Sequence, residues 1–593
     1  MAIFPNLFPQ TGAVSSSNIL FQTGARLSLN PSFNLAIEVH PTIKYLSSLT
    51  PLKDFNGFII GIGLVAQMRF GQDPDTAQSI IRSISFGDIS SPPLFAAMQS
   101  YYTNHPFTTV TITNTEKHSI KDIEVSFYQA GYMDSSTPAV TIPELRGGES
   151  KDVELFASFN QEIFKTEGIS PLTGEVIVRY KSKGKPAEQS KSFIYELHDK
   201  TAIIWDDDKK VAAFITPADS ALRNYTSFIR QSCKDDLVSA YNENLQFAIQ
   251  LFHALGEIGL IYQVDPTLPF TAVKNNTMVV DSISLPRHTL KRITGDCDDL
   301  TVLFCSLLET VGIETGFITV PGHIYPVFNS KIPGRYYNKI YTDRNMTINL
   351  DDELWVPVEI TMVGKAGFID AWRKGIDEYR ALDTSPDQRG FYITRKAQEV
   401  YRPVMLKETD LGLQYGRKEE IVKKFNDDMK LLIDEILKKY LVNAKESGRK
   451  EDYNRLGIRY AQFNNYSKAG EAFRRAISLD EAYISPKINL GNLFFLQKDY
   501  QKALSALLRA LEYLEAEGKE QSKTYFKVLL SISKSYYALG KYDKTKEYFA
   551  MASEIDKAAT DNLSYLGEKP GKARASAPDD KIWEFFFIDD EDQ

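Results

Sequence analysis

Gly295-Asp-Cys297-Asp-Asp-Leu-Thr301, Gly322-His323-Ile-Tyr-Pro-Val327 and Trp355-Val-Pro-Val-Glu359-Ile-Thr361 place a cysteine, a histidine and a carboxylate in three distinct local settings. After Cys297, Leu300, Leu303, Phe304, Leu307, Leu308 and Val311 recur at helical spacing, and Gly312 follows as a stop. Cys297 is therefore predicted to open a helix. A thiol there meets unpaired backbone N–H groups and the positive end of the macrodipole, both of which favour thiolate. His323 follows the apolar run Phe317-Ile-Thr-Val320 and a Pro-Gly turn, so it is expected to head an extended segment. Glu359 falls in a strand pattern in which Leu354, Val356, Val358 and Ile360 alternate with Trp355, Pro357 and Glu359. Two adjacent antiparallel strands would set His323 and Glu359 side by side, facing the Cys297 helix. A thiol, a base and an orienting carboxylate are the groups that covalent acyl transfer needs.

The order Cys, His, acid, the G-x-C opening of a helix and the W-V-P-V-acid-x-T ending resemble the transglutaminase-like superfamily. The resemblance covers roughly residues 218–405, including the approach segment Val280-Asp-Ser-Ile-Ser-Leu-Pro286. It implies an α+β papain-like fold in which Cys297 is the nucleophile, His323 the general base and acid, and Glu359 the residue that fixes the imidazole. The acid in that family is more usually Asp. A glutamate is one methylene longer, so it orients the ring only if the strand is set back or the side chain bends. The implied activity is attack of Cys297 on a peptide or amide substrate to form a thioester. Hydrolysis is expected rather than cross-linking, because no second-substrate site is legible. The alternative is an inactive transglutaminase-like scaffold for protein–protein interaction in the cell envelope.

The remaining chemistry-bearing residues read as structural. Cys305 lies three residues from both Val302 and Leu308 and belongs to the core, and Cys233 has no partner in sight. Asp298 and Asp299 suit a helix N-terminus but oppose a neighbouring thiolate, so their carboxylates are expected to turn away from the sulfur. His253 and His288 lack ligand spacing, and the chain has no C-x-x-C or H-x-x-x-H. Neither a metal nor a cofactor is expected.

A length of 593 residues with 43% hydrophobic content predicts three or four globular domains. Three cysteines make no disulfide framework, and a formal charge of 69 − 77 = −8 with no basic cluster argues against a nucleic-acid partner. No run of about 18 apolar residues marks a membrane helix, and the start Met-Ala-Ile-Phe-Pro lacks the basic and apolar segments of a signal peptide.

Residues 1–72 alternate as β-strands instead. Phe58, Ile60, Ile62, Leu64, Ala66, Met68 and Phe70 line one apolar face, long enough for an outer-membrane barrel strand. Residues 20–29 and 33–39 also alternate, with a loop expected over 44–56. The reading is a truncated barrel, with outer-membrane association through residues 19–70 and the following chain in the periplasm. A cytoplasmic location follows if residues 1–72 are instead a soluble β layer. Residues 73–105 are expected to be a linker and 106–200 an immunoglobulin-like β-sandwich, from short alternating runs such as Ile123/Val125/Phe127 and Phe193/Tyr195/Leu197. Asp206-Asp-Asp-Lys-Lys210 reads as a linker into a transglutaminase-like domain at 211–405.

The last third repeats itself. Tyr453, Leu456, Gly457, Tyr460, Ala469, Phe473 and Ala476 are echoed 34 residues later by Leu490, Gly491, Phe494, Ala503, Leu507 and Ala510. After an insertion near residues 515–523 they return as Leu529, Ile532, Ser533, Tyr536, Phe549 and Ala552. This is the tetratricopeptide pattern, predicting three units over 451–560 and a groove for a protein or peptide partner, with Asn454 and Asn492 facing it. Within the bridging segment 406–450 an amphipathic helix is expected from Lys418 to Tyr440, with Ile421, Phe425, Met429, Leu432, Ile436 and Tyr440 inward, leading to the first unit. The tail, 569–593, ends Trp583-Glu-Phe-Phe-Phe-Ile-Asp-Asp-Glu-Asp-Gln593 and is read as a frayed terminus, docking of its aromatic cluster in the groove or on a partner being the other reading.

Overall fold

The computed structural model describes residues 83–238, 241–264, 279–409, 411–567 and 587–589, together with the backbone of the strands Ser16–Ile19, Leu35–Leu46 and Gly57–Met68. Those three strands form an antiparallel sheet in chain order, with Leu35 opposite Met68 and Ser16 opposite Leu46. The third lies where the alternation of Phe58 to Met68 places it. The second continues to Leu46, into the expected loop, because its ladder with the third runs unbroken from Leu35 to Leu46. The strand expected over 20–29 lies outside the described residues.

Period-two alternation builds the next layer. Ile123, Val125 and Phe127 of Ile120–Tyr128, Val176, Val178 and Tyr180 of Ile169–Ser182, and Phe193, Tyr195 and Leu197 of Lys185–His198 are all buried. These strands sit in a five-stranded sheet whose order is Leu94–Phe95, Lys185–His198, Ile169–Ser182, Ile120–Tyr128, Val140–Leu145. A second sheet of Ile84–Phe86, Thr108–Asn114 and Ser150–Leu155 adds Val110, Ile112, Val153 and Leu155 to the same core.

Two expected linkers are structured. Ile84–Phe86 pairs with Thr108–Asn114, and Leu94 to Met98 are buried, so the described part of this stretch, 83–105, belongs to the sheet region. Its apolar run Leu94-Phe-Ala-Ala-Met98 is too short to alternate, yet it gains more by burial than by exposure. Residues 206–210 lead into a 3₁₀ turn, Asp208–Phe214, with Val211 to Phe214 buried. Asp208 accepts a hydrogen bond from the Thr319 hydroxyl at 2.7 Å, and Asp207 accepts one from the Tyr401 hydroxyl at 3.1 Å. One apolar cluster consequently runs from the sheets through Trp205 and Phe214 to Cys297, Val302 and Phe317.

The central region holds an antiparallel five-stranded sheet in the order Ile348–Leu350, Glu353–Pro357, His323–Pro333, Thr315–Val320, Gly390–Ile393. Cys297–Glu309 packs on it as a helix buried along its whole length to Leu308, with the Thr301 and Ser306 hydroxyls satisfied by carbonyls of the preceding turn. Lys418–Ser447 is a single helix that runs past the expected end at Tyr440 and stops at Gly448, whose φ of 66° suits a left-handed cap. Its Ile421, Phe425, Met429, Leu432 and Ile436 enter the central core, whereas Leu437 and Ala444 enter the core of the helical array. One element thus belongs to both hydrophobic cores.

The array consists of the helix pairs Lys450–Gln462 with Tyr466–Leu479, Ser485–Leu496 with Tyr500–Ala516, and Lys523–Ala538 with Tyr542–Ile555. The repeated glycines explain the close pairing. A Cβ at Gly457 would stand 2.5 Å from the Phe473 ring, and one at Gly491 would stand 3.0 Å from Leu507. Part of the insertion near 515 lengthens the helix Tyr500–Ala516.

Candidate functional site

Cys297 begins its helix, with Asp296 as the N-cap and the Asp296 side chain accepting from the Asp299 N–H. Thr301, one turn on, donates to the Cys297 carbonyl at 2.6 Å and lies 3.3 Å from the Ile324 carbonyl. The helix start is thereby held against the strand His323–Pro333, and the Ile324 N–H hydrogen-bonds to the sulfur. His323 opens that strand directly after Gly322, whose φ of 75° makes the tight reversal from Val320.

His323 and Glu359 meet: Nε2 lies 2.6 Å from Glu359 Oε2. Glu359 is not in the strand, however. The ladder ends at Pro357, and Glu359 caps a short 3₁₀ turn, Ile360–Met362, with Oε1 accepting from the N–H of Thr361 at 3.1 Å and from its hydroxyl at 2.5 Å. The strand's termination sets the backbone back, which accommodates the extra methylene. Among the described residues no hydrogen bond joins the Cys297 thiol to the imidazole.

A residue that sequence reasoning missed completes the group. Glu378, on the helix Phe368–Ala381, places Oε2 3.9 Å from His323 Nε2, while its Oε1 pairs with Lys374 at 2.9 Å. Gly375 permits this approach, since a Cβ there would lie 3.2 Å from the backbone of Pro357, Val358 and Glu359. The available signal was helical spacing: Ala371, Gly375 and Glu378 fall on one face, but nothing local ties that face to His323. Donor atoms of His323, Glu359 and Glu378 lie within 4.8 Å of one another, a nitrogen and oxygen set of the kind that divalent ions use. Asp296, Asp298 and Asp299 form a second close group. Spacing rules pointed to neither.

The electrostatics overturn the expected thiolate. Burial pushes the Cys297 thiol well above its ordinary range, and the charges of Asp298 and Asp296 add to it; the N–H groups of Ile324 and Asp298 offset only part. The Asp298 carboxyl thus stays close enough to act on the sulfur. It is itself raised strongly, by burial and by its hydrogen bond with Asp296, and Asp299 is pushed up to about 7 by burial and the charge of Asp296. For His323, burial opposes the charged ring, but the bond to Glu359 and the charges of Glu359 and Glu378 outweigh it and raise the pKa. For Glu359, burial is outweighed by His323 and Thr361, and its pKa is lowered. Burial and the neighbouring carboxylates therefore favour the protonated thiol, while Glu359 and Glu378 favour the protonated ring. Cys305 is fully buried, and Cys233 is raised to about 12 by burial. His253 pairs with Asp428 at 2.6 Å and ties the bridging helix to the central region.

A shallow recess of ≈ 250 Å³ lined by Gln263, Ser282, Ser284, Arg292, Thr294 and Asp296 flanks the helix start. A larger one of ≈ 760 Å³, on the sheet region around Arg179 and Glu188, holds none of these side chains.

In the array, Asn454 faces the groove as expected. The tail is not frayed at Phe587 and Ile588, which are buried against the repeats.

The tetratricopeptide-repeat family model matches residues 453–483. Comparison with curated proteins gives no match. Among solved structures, a crystal structure of MamA protein is 20% identical, covering 23% of this chain and 70% of that one with a TM-score of 0.18. A crystal structure of MamA is 21% identical over 24% of this chain and 82% of that one, with a TM-score of 0.19. The repeat assignment rests on the family match and the helix pairs.

Proposed function

We propose that this chain is a cysteine-dependent acyl-transfer enzyme of transglutaminase-like type, hydrolysing a peptide or amide bond, with its helical array engaging a protein partner. The observation that carries the catalytic part is the 2.6 Å His323–Glu359 bond set beside a helix-opening cysteine whose sulfur receives the next residue's N–H. With Nε2 committed to Glu359, Nδ1 is the nitrogen left to accept the thiol proton. That transfer requires His323 to be neutral. Cys297 Sγ then attacks the carbonyl carbon, and the proton passes from His323 to the departing amine as the C–N bond breaks. A water molecule, deprotonated by His323, attacks the thioester carbonyl; the C–S bond breaks and the proton returns to sulfur. The test is mass spectrometry of the intact chain after brief exposure to activated amides. An acyl adduct on Cys297 that His323→Ala prevents supports the enzyme; no adduct under any substrate sinks it.

A second reading, an inactive scaffold, has its own support in the raised Cys297 thiol and the absence, among the described residues, of a thiol–imidazole hydrogen bond. Under either reading the tetratricopeptide repeats make protein–protein interaction part of the function. No helix among the described residues is long and apolar enough to cross a membrane. The long antiparallel strands Leu35–Leu46 and Gly57–Met68 support the further proposal of outer-membrane association, with the enzyme-like region in the periplasm. Recovery of the full chain from the inner face of sealed outer-membrane vesicles would support it, and recovery in the cytoplasmic fraction would refute it.

A further inference from the structure

The array's groove is already filled. Ile588 has its two backbone polar groups satisfied by side chains of two successive units: its N–H donates to Asn489 Oδ1 at 2.7 Å, and its carbonyl accepts from Asn489 Nδ2 at 3.0 Å and from Asn454 Nδ2 at 2.9 Å. Asn489 Nδ2 also reaches Asn454 Oδ1 at 2.9 Å, so the two asparagines act as one clamp. Both are fully buried. A clamp of this kind reads main chain, as a neighbouring β-strand would, and demands an extended segment.

Side chains supply the selectivity. Phe587 joins the apolar cluster of the first unit, its ring 6.2 Å from that of Phe473, whereas Ile588 joins the cluster of the second and third units. Asp589 pairs with Arg455 at 3.1 Å and lines a recess of ≈ 230 Å³ shared with Lys439 and Arg459. The residues after it, Asp590-Glu-Asp592, continue the acidic run in sequence.

We infer that the groove is a binding site for extended segments reading aromatic–aliphatic–acidic, and that this chain's own Phe587-Ile588-Asp589 is the resident occupant, so a partner must displace it. The inference rests on the protein-binding reading of the repeats and adds the ligand's chemistry and its regulation. In sequence, 19 residues separate Gly567 from Phe587, a connection that reaches about 3.3–3.6 Å per residue when extended.

The test uses the full chain and a fluorescent peptide of residues 583–593. Ile588→Asp in the protein puts a charge where the clamp and apolar cluster hold the tail, releasing it while leaving the groove unchanged. If the tail occupies the groove nine-tenths of the time or more, the peptide binds this variant about tenfold or more tightly than the parent. Asp589→Lys, which breaks the Arg455 pair and sets a like charge in the recess of Lys439 and Arg459, gives a smaller gain in the same direction and serves if the first variant loses helical circular dichroism. A peptide carrying Ile588→Asp does not bind. Equal affinity for parent and released variants would overturn the inference, as would failure of the peptide to bind a folded, released variant. Under that last outcome a pool of unrelated extended peptides separates the two claims: binding of pool members leaves the protein-binding reading standing, and binding of none removes both. A parent that elutes as a dimer while Ile588→Asp elutes as a monomer would place a second copy's tail in the groove and overturn the intramolecular form.

Discussion

Both carboxylate oxygens of Glu359 are engaged, Oε2 by His323 Nε2 at 2.6 Å and Oε1 by Thr361, so the imidazole is steered from a point fixed on the chain just beyond the strand end. Glu359 is buried and His323 half-buried, with Glu378 of the helix Phe368–Ala381 beside them. Glu378, close to the same nitrogen, adds negative charge on the side away from its Lys374 partner.

Glu359→Gln should preserve the fold and substrate KM but lower kcat by ~10² or more, because an amide orients the ring poorly and does not stabilise the imidazolium. Glu359→Asp should fall between the two, its charge kept but its reach shortened. Adding His323→Ala to Glu359→Gln should cost little beyond His323→Ala alone. Steady-state kinetics on an amide substrate decides; an unchanged kcat in Glu359→Gln would assign the carboxylate role elsewhere.

Cys297 should label slowly with iodoacetamide at pH 7, because burial and the neighbouring carboxylates keep it a thiol. Its rate should climb only at strongly alkaline pH. Asp298→Asn should accelerate Cys297 and leave Cys233 and Cys305 unchanged, as read by peptide mass mapping after timed labelling. Rapid labelling of the parent at pH 6 would restore the preformed thiolate.

Asp299 gives a stability signature of definite sign. Its folded pKa of about 7 lies above that of the unfolded chain, so between pH 4 and 7 the native state binds more protons and stability falls as pH rises. Asp299→Asn removes this titration while keeping an oxygen that can accept from the Ser284 N–H. The variant should match the parent near pH 4 and exceed it by on the order of 2–4 kcal/mol at pH 8. Melting curves across that range check it; a parallel offset at every pH would contradict it.

Asp428→Ala should loosen the bridging helix. Its carboxylate accepts from the Phe368 N–H at 2.9 Å and holds the His253 ring, with both acid and histidine side chains 7% exposed. Removing it strands two buried donors, at a cost of about 3 kcal/mol. Calorimetry should show one cooperative transition splitting into two, with earlier proteolytic cleavage near residues 406–417. An unchanged single transition would mean that the two cores are coupled by other contacts.

What the residues alone determined is what depends on local spacing. Leu300 to Val311 specified a helix opening at Cys297 because side-chain period and the Gly312 stop are short-range properties. The Pro-Gly turn placed His323 at the head of a strand, and recurrence at 34 residues announced paired helices because each unit must bury the same face against the next. Tertiary structure decided everything that depends on which distant segments meet. It brought Glu378 to His323, took Glu359 out of its strand, and laid Ile588 across Asn454 and Asn489. It also turned the expected shift of the Cys297 thiol from downward to upward. A helix N-terminus favours thiolate in every sequence, but desolvation and the nearness of Asp298 and Asp296 exist only once the chain has closed around them, and there they outweigh the N–H groups of Ile324 and Asp298.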